Sequence, residues 1–143
     1  MGEIIKAVAG VLYQDNKVLM ASRPAGKPYE GYWEFPGGKV ELNESINEAL
    51  IRELKEEISI TTALEDLTYL TCIKQEFAND KTLKYTVHLD VIMVSNWTAE
   101  VNALEGQTLY WHNLKDQCDK EPLLATTTKI LNLLKNYSKG NKK

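Results

Sequence analysis

The segment Ser45 to Ile60, SINEALIRELKEEISI, constrains the fold more tightly than any other stretch of the chain. Ser45 with Glu48 three residues on fits a capping box and places a helix start at Ser45. Ile46, Ala49, Leu50 and Leu54 then recur at helical spacing, which makes one face of that helix suited to packing on a sheet. At about 100° per residue, Glu53 and Glu57 differ by about 40°, and Glu56 lies about 60° to the far side of Glu53. Three carboxylates therefore share one sector of the opposite face. Like charges at i,i+4 cost roughly a few tenths of a kcal/mol per pair. Arg52 is spaced to reach Glu48 and Glu56, but it leaves Glu53 and Glu57 facing each other.

Charge is concentrated here. Gly38 to Ile60 holds six acids and three bases, so this one segment accounts for the whole net charge of −3, and the remainder of the 143 residues is neutral. No basic face is available for nucleic acid. The last residues, Ser138 to Lys143, are basic and read as a frayed, disordered tail behind a single domain over residues 1–137. No apolar run reaches the roughly 18 residues of a membrane span, and the start lacks a basic region followed by an apolar block. The expected location is the cytoplasm. There, Cys72 and Cys118 read as reduced thiols in or near the core, and the sequon Asn96-Trp97-Thr98 carries no meaning.

Around the acidic helix the chain reads as strands. Ile4 to Tyr13 and Lys17 to Ala21 flank a Gln14-Asp15-Asn16 turn and form a hairpin, followed by the loop RPAGKPYEGYW. Leu67 to Phe77 is strand-like and Ala78-Asn79-Asp80-Lys81 turn-like; Thr82 to Val91 alternates strictly, with Leu83, Tyr85, Val87, Leu89 and Val91 on one face. Gln107 to Trp111 makes a short strand, and Pro122 to Tyr137 a helix with Pro122 in its first turn. The expected architecture is α/β, a mixed sheet flanked by helices. His88 and His112, without partners at ligand spacing, read as surface residues.

An isolated acidic face is ordinarily just solvated, and the loop ahead of it decides otherwise. Pro36-Gly37-Gly38 leaves bare backbone where the chain enters the helical segment, and glycine permits close ligand approach. Arg23 and Lys39 flank it as phosphate partners. Carboxylates without His or Cys select Mg²⁺, with Mn²⁺ as substitute, in a site for a metal-bound polyphosphate.

Gly38, Glu44 and Arg52-Glu53-Leu54-Lys55-Glu56-Glu57-Ile58-Ser59-Ile60 resemble the Nudix box, G-x5-E-x7-R-E-U-x-E-E-x-G-U, where U is bulky and apolar. Ser59 stands where that family has Gly. Ser22-Arg23-Pro24, Trp33 to Lys39, Glu105-Gly106-Gln107 and Glu121-Pro122 resemble its MutT branch, so an α/β/α sandwich is implied. The resemblance implies that Glu53, Glu56 and Glu57 hold Mg²⁺ with the Gly37 carbonyl and Glu105, that Arg52 orients the glutamates, and that Glu53 or Glu105 is the base. It implies a nucleoside triphosphate substrate held by Arg23, Glu34, Phe35, Pro36, Gly37, Gly38, Lys39, Asn79 and Lys120, in a monomer or homodimer. The expected reaction is hydrolysis to a monophosphate and pyrophosphate, with 8-oxo-dGTP ahead of CTP and methylated dCTP. Lys120 occupies the position of a purine-reading Asn, and Asn79-Asp80 that of an Asp-Arg pair, both departures from the oxidised-guanine pattern. A ligand-binding domain without catalysis is the rival of another class, and the intact box glutamates speak against it.

Overall fold

The structure, a computed structural model, describes residues 3–78 and 83–140, with side chains as far as residue 136. Asn79, and the expected turn and strand start from Asn79 to Thr82, lie outside the described residues.

β1 (Glu3–Gln14) and β2 (Lys17–Ser22) form the expected hairpin. Asp15 and Asn16 both adopt positive φ, 53° and 65°, a conformation that Asn and Asp tolerate in tight hairpin turns. β1 then pairs in parallel with β6 (Lys84–Val94) and antiparallel with β4 (Gly37–Lys39), while β5 (Leu67–Ala78) borders β6. β2 carries β3 (Trp33–Glu34) and β7 (Leu109–Asn113), which completes a mixed sheet of seven strands among the described residues.

Helices cover both faces. α1 (Ile46–Ile58) packs Ala49, Leu50 and Leu54 against Val8, Leu12 and Ile92; α2 (Ala125–Gly140) packs Ile130, Leu131 and Leu134 against Ala9, Val11, Val91 and Met93. The alternating β6 pattern therefore gives way at Ile92, where α1 covers the face that had been polar, and the strand ends with four buried residues, Val91 to Val94. Gly10 lets α1 approach this closely, because a Cβ there would stand 3.0 Å from Leu50 Cδ1.

α1 is capped as its sequence dictates. Ser45 Oγ accepts from the Glu48 amide at 3.1 Å, and the Glu48 carboxylate accepts from the Ser45 amide at 2.9 Å. Glu48 is thus occupied at the cap, and Arg52 turns to Glu44 in its place. At the other end Ser59 takes the left-handed conformation, φ 69°, which costs an L-residue roughly 1 kcal/mol that glycine avoids. Ser59→Gly is expected to stabilise the protein by about 0.5–1 kcal/mol, read as a higher urea midpoint at unchanged slope.

Several expectations are corrected. α2 begins at Ala125 rather than Pro122, because residues 122–124 pair with β3: the Trp33 amide donates to the Pro122 carbonyl and the Leu124 amide to the Trp33 carbonyl. It continues to Gly140, into the segment read as tail; residues 141–143 lie outside the described residues. His112 is buried on β7, and burial lowers its pKa; Cys72 is exposed on β5, while Cys118 packs against the core. Among the described residues no helix is long and apolar enough to cross a membrane.

Candidate active site

A cleft of about 720 Å³ opens between α1, the β1–β6 face and the start of α2. One end is acidic. Glu53, Glu56, Glu57 and Glu41 line it from the α1 side, Gly37, Gly38 and Lys39 from β4, and Glu34 and Glu105 from across. The other end is apolar and aromatic, with Phe35, Phe77, Tyr85, Val87 and Tyr29.

Arg52 organises the acidic end. Its Nε and Nη2 grip both oxygens of Glu44 at 2.6 and 2.9 Å, Nη1 donates to Glu53 Oε2 at 3.0 Å and to Glu56 Oε1 at 3.2 Å, and Nη2 also donates to the Lys39 carbonyl at 3.1 Å. Hydrogen bonding to Arg52 holds the Glu44 carboxyl down at about 2, and raises Arg52 in return. Glu53 lines the cleft with Oε2 held by Arg52 and Oε1 free of that bond; burial raises its pKa, against the pull of Arg52. Glu57 is only 7% exposed and is pushed up to about 8, first by burial and then by the negative charge of Glu34. Its Oε2 accepts from the Gly37 amide at 3.2 Å.

The glycines leave room that a side chain would take. A Cβ at Gly37 would overlap the Val8 carbonyl, and one at Gly38 would overlap the Glu53 carboxylate. The first clash is with backbone, the second with the end of a flexible side chain. Gly38→Ala is therefore expected to keep its fold but swing Glu53 out of position. Turnover should drop by about 10²-fold with little change in thermal midpoint, as steady-state rates and a melt would show.

A family profile described as NUDIX domain matches residues 4–132. The chain belongs to the NUDIX family. It is 36% identical over 109 residues, 76% of either chain, to the CTP pyrophosphohydrolase of Escherichia coli (strain K12). To the 8-oxo-dGTP diphosphatase of Proteus vulgaris it is 36% identical over 107 residues, 74% of this chain and 89% of that one. The solution structure of the E. coli ORF135 protein superposes with a TM-score of 0.79 at 30% identity, covering 99% of this chain and 95% of that one. The protein is a Nudix hydrolase, and such hydrolases generally use divalent metal ions.

The Nudix donor set suits a hard divalent cation: oxygens only, drawn from several carboxylates that raise one another's pKa and from an exposed peptide backbone. Among the described residues no three His, Cys, Asp or Glu side chains already form a cage, since Glu53 and Glu56 are drawn to Arg52 and Glu57 to the Gly37 amide. An ion placed among these carboxylates competes with those hydrogen bonds and relieves the mutual repulsion.

Not every expected residue of this Nudix site reaches the cleft as a free arm. Arg23 lines it but is engaged, donating to Glu34 Oε1 at 2.9 Å and to the Pro28 carbonyl at 2.6 Å, so that it staples the 24–32 loop. Pro36 is buried, its carbonyl accepting from the Gly10 amide at 2.7 Å. Lys120 does not line the cleft; its Nζ sits 4.3 Å from the Tyr110 ring centroid and 5.7 Å from that of Trp33. Lys27 lines the cleft and had no sequence signal. Gln107, expected as strand, instead ties the Glu105 loop to α1, its Oε1 accepting from the Glu105 amide at 2.9 Å and its Nε2 donating to the Glu57 carbonyl at 3.1 Å.

Proposed function

We propose that this Nudix hydrolase cleaves a nucleoside triphosphate to a monophosphate and pyrophosphate with Mg²⁺, which Mn²⁺ can replace. The observation that carries this reading is a cleft whose one end is a carboxylate cluster under electrostatic strain and whose other end is aromatic. Glu53, Glu56, Glu57, Glu105 and the Gly37 carbonyl are the proposed metal donors. Bound there, the ion would supply positive charge against the phosphate oxygens and acidify water.

The chain's own residues do the rest. Glu53 Oε1 takes the proton of the attacking water, because Oε2 is held by Arg52, with Glu105 as the alternative base. Lys39 and Lys27 bind phosphate oxygens, and Phe35 with the aromatic end excludes water and receives the nucleoside. Arg52 keeps Glu53 and Glu56 aimed and touches no substrate.

For the base, oxidised guanine comes first, in line with similarity to the Proteus vulgaris enzyme and the others that bear its name. A second reading, CTP and its methylated deoxy forms, is favoured by the similarity to the CTP pyrophosphohydrolase and by Lys120, which leaves the cleft without the purine-reading amide. A panel of normal, oxidised and methylated triphosphates with Mg²⁺, scored for pyrophosphate against orthophosphate, tests both levels. Pyrophosphate release is expected; orthophosphate alone, or no turnover, would refute the reaction, and the ranking decides the base.

A further inference from the structure

With Lys120 folded onto Tyr110 and Trp33, some other polar group must meet the edge of a base at the apolar end of the cleft. The neutral candidates are few, and most are already engaged. Thr127 Oγ1 donates to the Trp33 carbonyl at 2.8 Å, Ser22 Oγ accepts from the Thr108 amide at 2.9 Å, and Gln107 is spent on the Glu105 loop. Tyr29 donates to the Ala78 carbonyl at 3.4 Å.

Among the described residues that line the cleft, two hydroxyls make no hydrogen bond, those of Thr126 and Tyr85. The Tyr85 ring stacks on Phe77 at 5.7 Å, and Phe77 in turn meets Tyr29 of the 24–32 loop at 5.5 Å, which commits Tyr85 to the aromatic cluster. Thr126 stands in the first turn of α2, lines the cleft and is 6% exposed. No buried side-chain nitrogen or oxygen is left without a partner among the described residues, so Thr126 Oγ1, which makes no hydrogen bond, shares in the small accessible surface of this cleft-lining residue. Leu124, just ahead of α2, Ile130 within it and Val87 on β6 line the same cleft and give that hydroxyl apolar surroundings in which a hydrogen bond carries specificity.

We propose that Thr126 is the specificity-determining residue through which this chain reads its nucleobase, by a hydrogen bond from or to Oγ1. The inference rests on the nucleotide reading above. A hydroxyl donates and accepts, so it meets a carbonyl or an amino edge alike. One such contact discriminates between bases less sharply than an amide with fixed donor and acceptor would. The chain is thus built to accept more than one base.

The test compares Thr126→Val and Thr126→Ser with the parent enzyme on base-bearing triphosphates and on ribose 5-triphosphate, which has no base. Val keeps the shape and removes the hydroxyl; Ser keeps the hydroxyl. The expected result is a loss of about five- to tenfold in kcat/KM for the preferred base-bearing substrate with Val. Ser should stay near the parent, and the abasic compound should be hydrolysed alike by all three. Equal activity of Val and parent on every base, or an equal fall on the abasic compound, would overturn the proposal. Nucleoside monophosphate binding by NMR titration without metal gives a second reading. If the parent releases no pyrophosphate, the function is refuted, and a Val variant that binds the monophosphate as tightly as the parent refutes the role of Thr126 separately.

Discussion

Glu53→Gln is expected to lower pyrophosphate release by about 10²–10⁴-fold while leaving the fold intact. Gln has the same shape, so the space beside Gly38 is filled as before. Its amide cannot take a proton, and with its carbonyl oxygen accepting from Arg52 in place of Oε2 it puts an NH₂, which neither binds a cation nor accepts a proton, where Oε1 stood. The Arg52–Glu44 pair, made through two hydrogen bonds, does not depend on Glu53 and should hold the local structure. Rapid-quench rates and a thermal melt check this. If Glu53→Gln turned over normally and Glu105→Gln did not, the base would be Glu105 and the loop held by Gln107 would be the catalytic element.

The second large effect concerns Glu57 and has opposite signs with and without metal. In the metal-free protein its pKa stands at about 8, raised by burial and by Glu34 above an ordinary value near 4.5. At low pH, Glu57 is protonated in both folded and unfolded chains and costs nothing. As pH rises from 4.5 toward 8, the unfolded chain ionises while the folded one still holds its proton. Stability therefore falls across that window, and the loss is complete above it. Glu57→Gln removes the titration. In EDTA the variant should be more stable than the parent by about 1–3 kcal/mol at pH 8 and close to it at pH 5. With Mg²⁺ the order should reverse, because binding stabilises only the parent's complete site. Scanning calorimetry at both pH values, with EDTA and with Mg²⁺, reads all four conditions; a variant less stable than the parent in EDTA at pH 8 would contradict the account.

Much of this was legible because α1 is written locally. Ser45 and Glu48, the Ile46–Leu54 stripe and the glutamates of one sector all act within a few turns, so periodicity and capping chemistry suffice to place them. Ser59 shows the same logic, since it takes the left-handed turn that the family's Gly would. What the chain does not announce is long-range. β3 is two residues long and pairs with β2 on one side, while Pro122 to Leu124 run along its other side, which delays α2 by three residues. Tyr29, Phe77 and Tyr85 come from three segments and meet only in the folded cleft, at ring distances of 5.5 and 5.7 Å. Arg23 reads as a phosphate arm from its place beside the glycine loop, yet it donates to Glu34 on β3 and to the Pro28 carbonyl of the 24–32 loop. His112 reads as surface because a single histidine carries no sign of which strand will cover it.

On the proposed reading, the carboxylates of α1 and the glycine loop grip divalent metal. Titrating Mn²⁺ into the ¹⁵N-labelled protein and following paramagnetic loss of amide signals tests it without recourse to activity. Selective loss is expected first at Gly37, Gly38, Glu53, Glu56, Glu57 and Glu105, with Mg²⁺ in excess restoring the signals. Loss centred elsewhere, or the same pattern in Glu57→Gln at the same Mn²⁺ concentration, would contradict it.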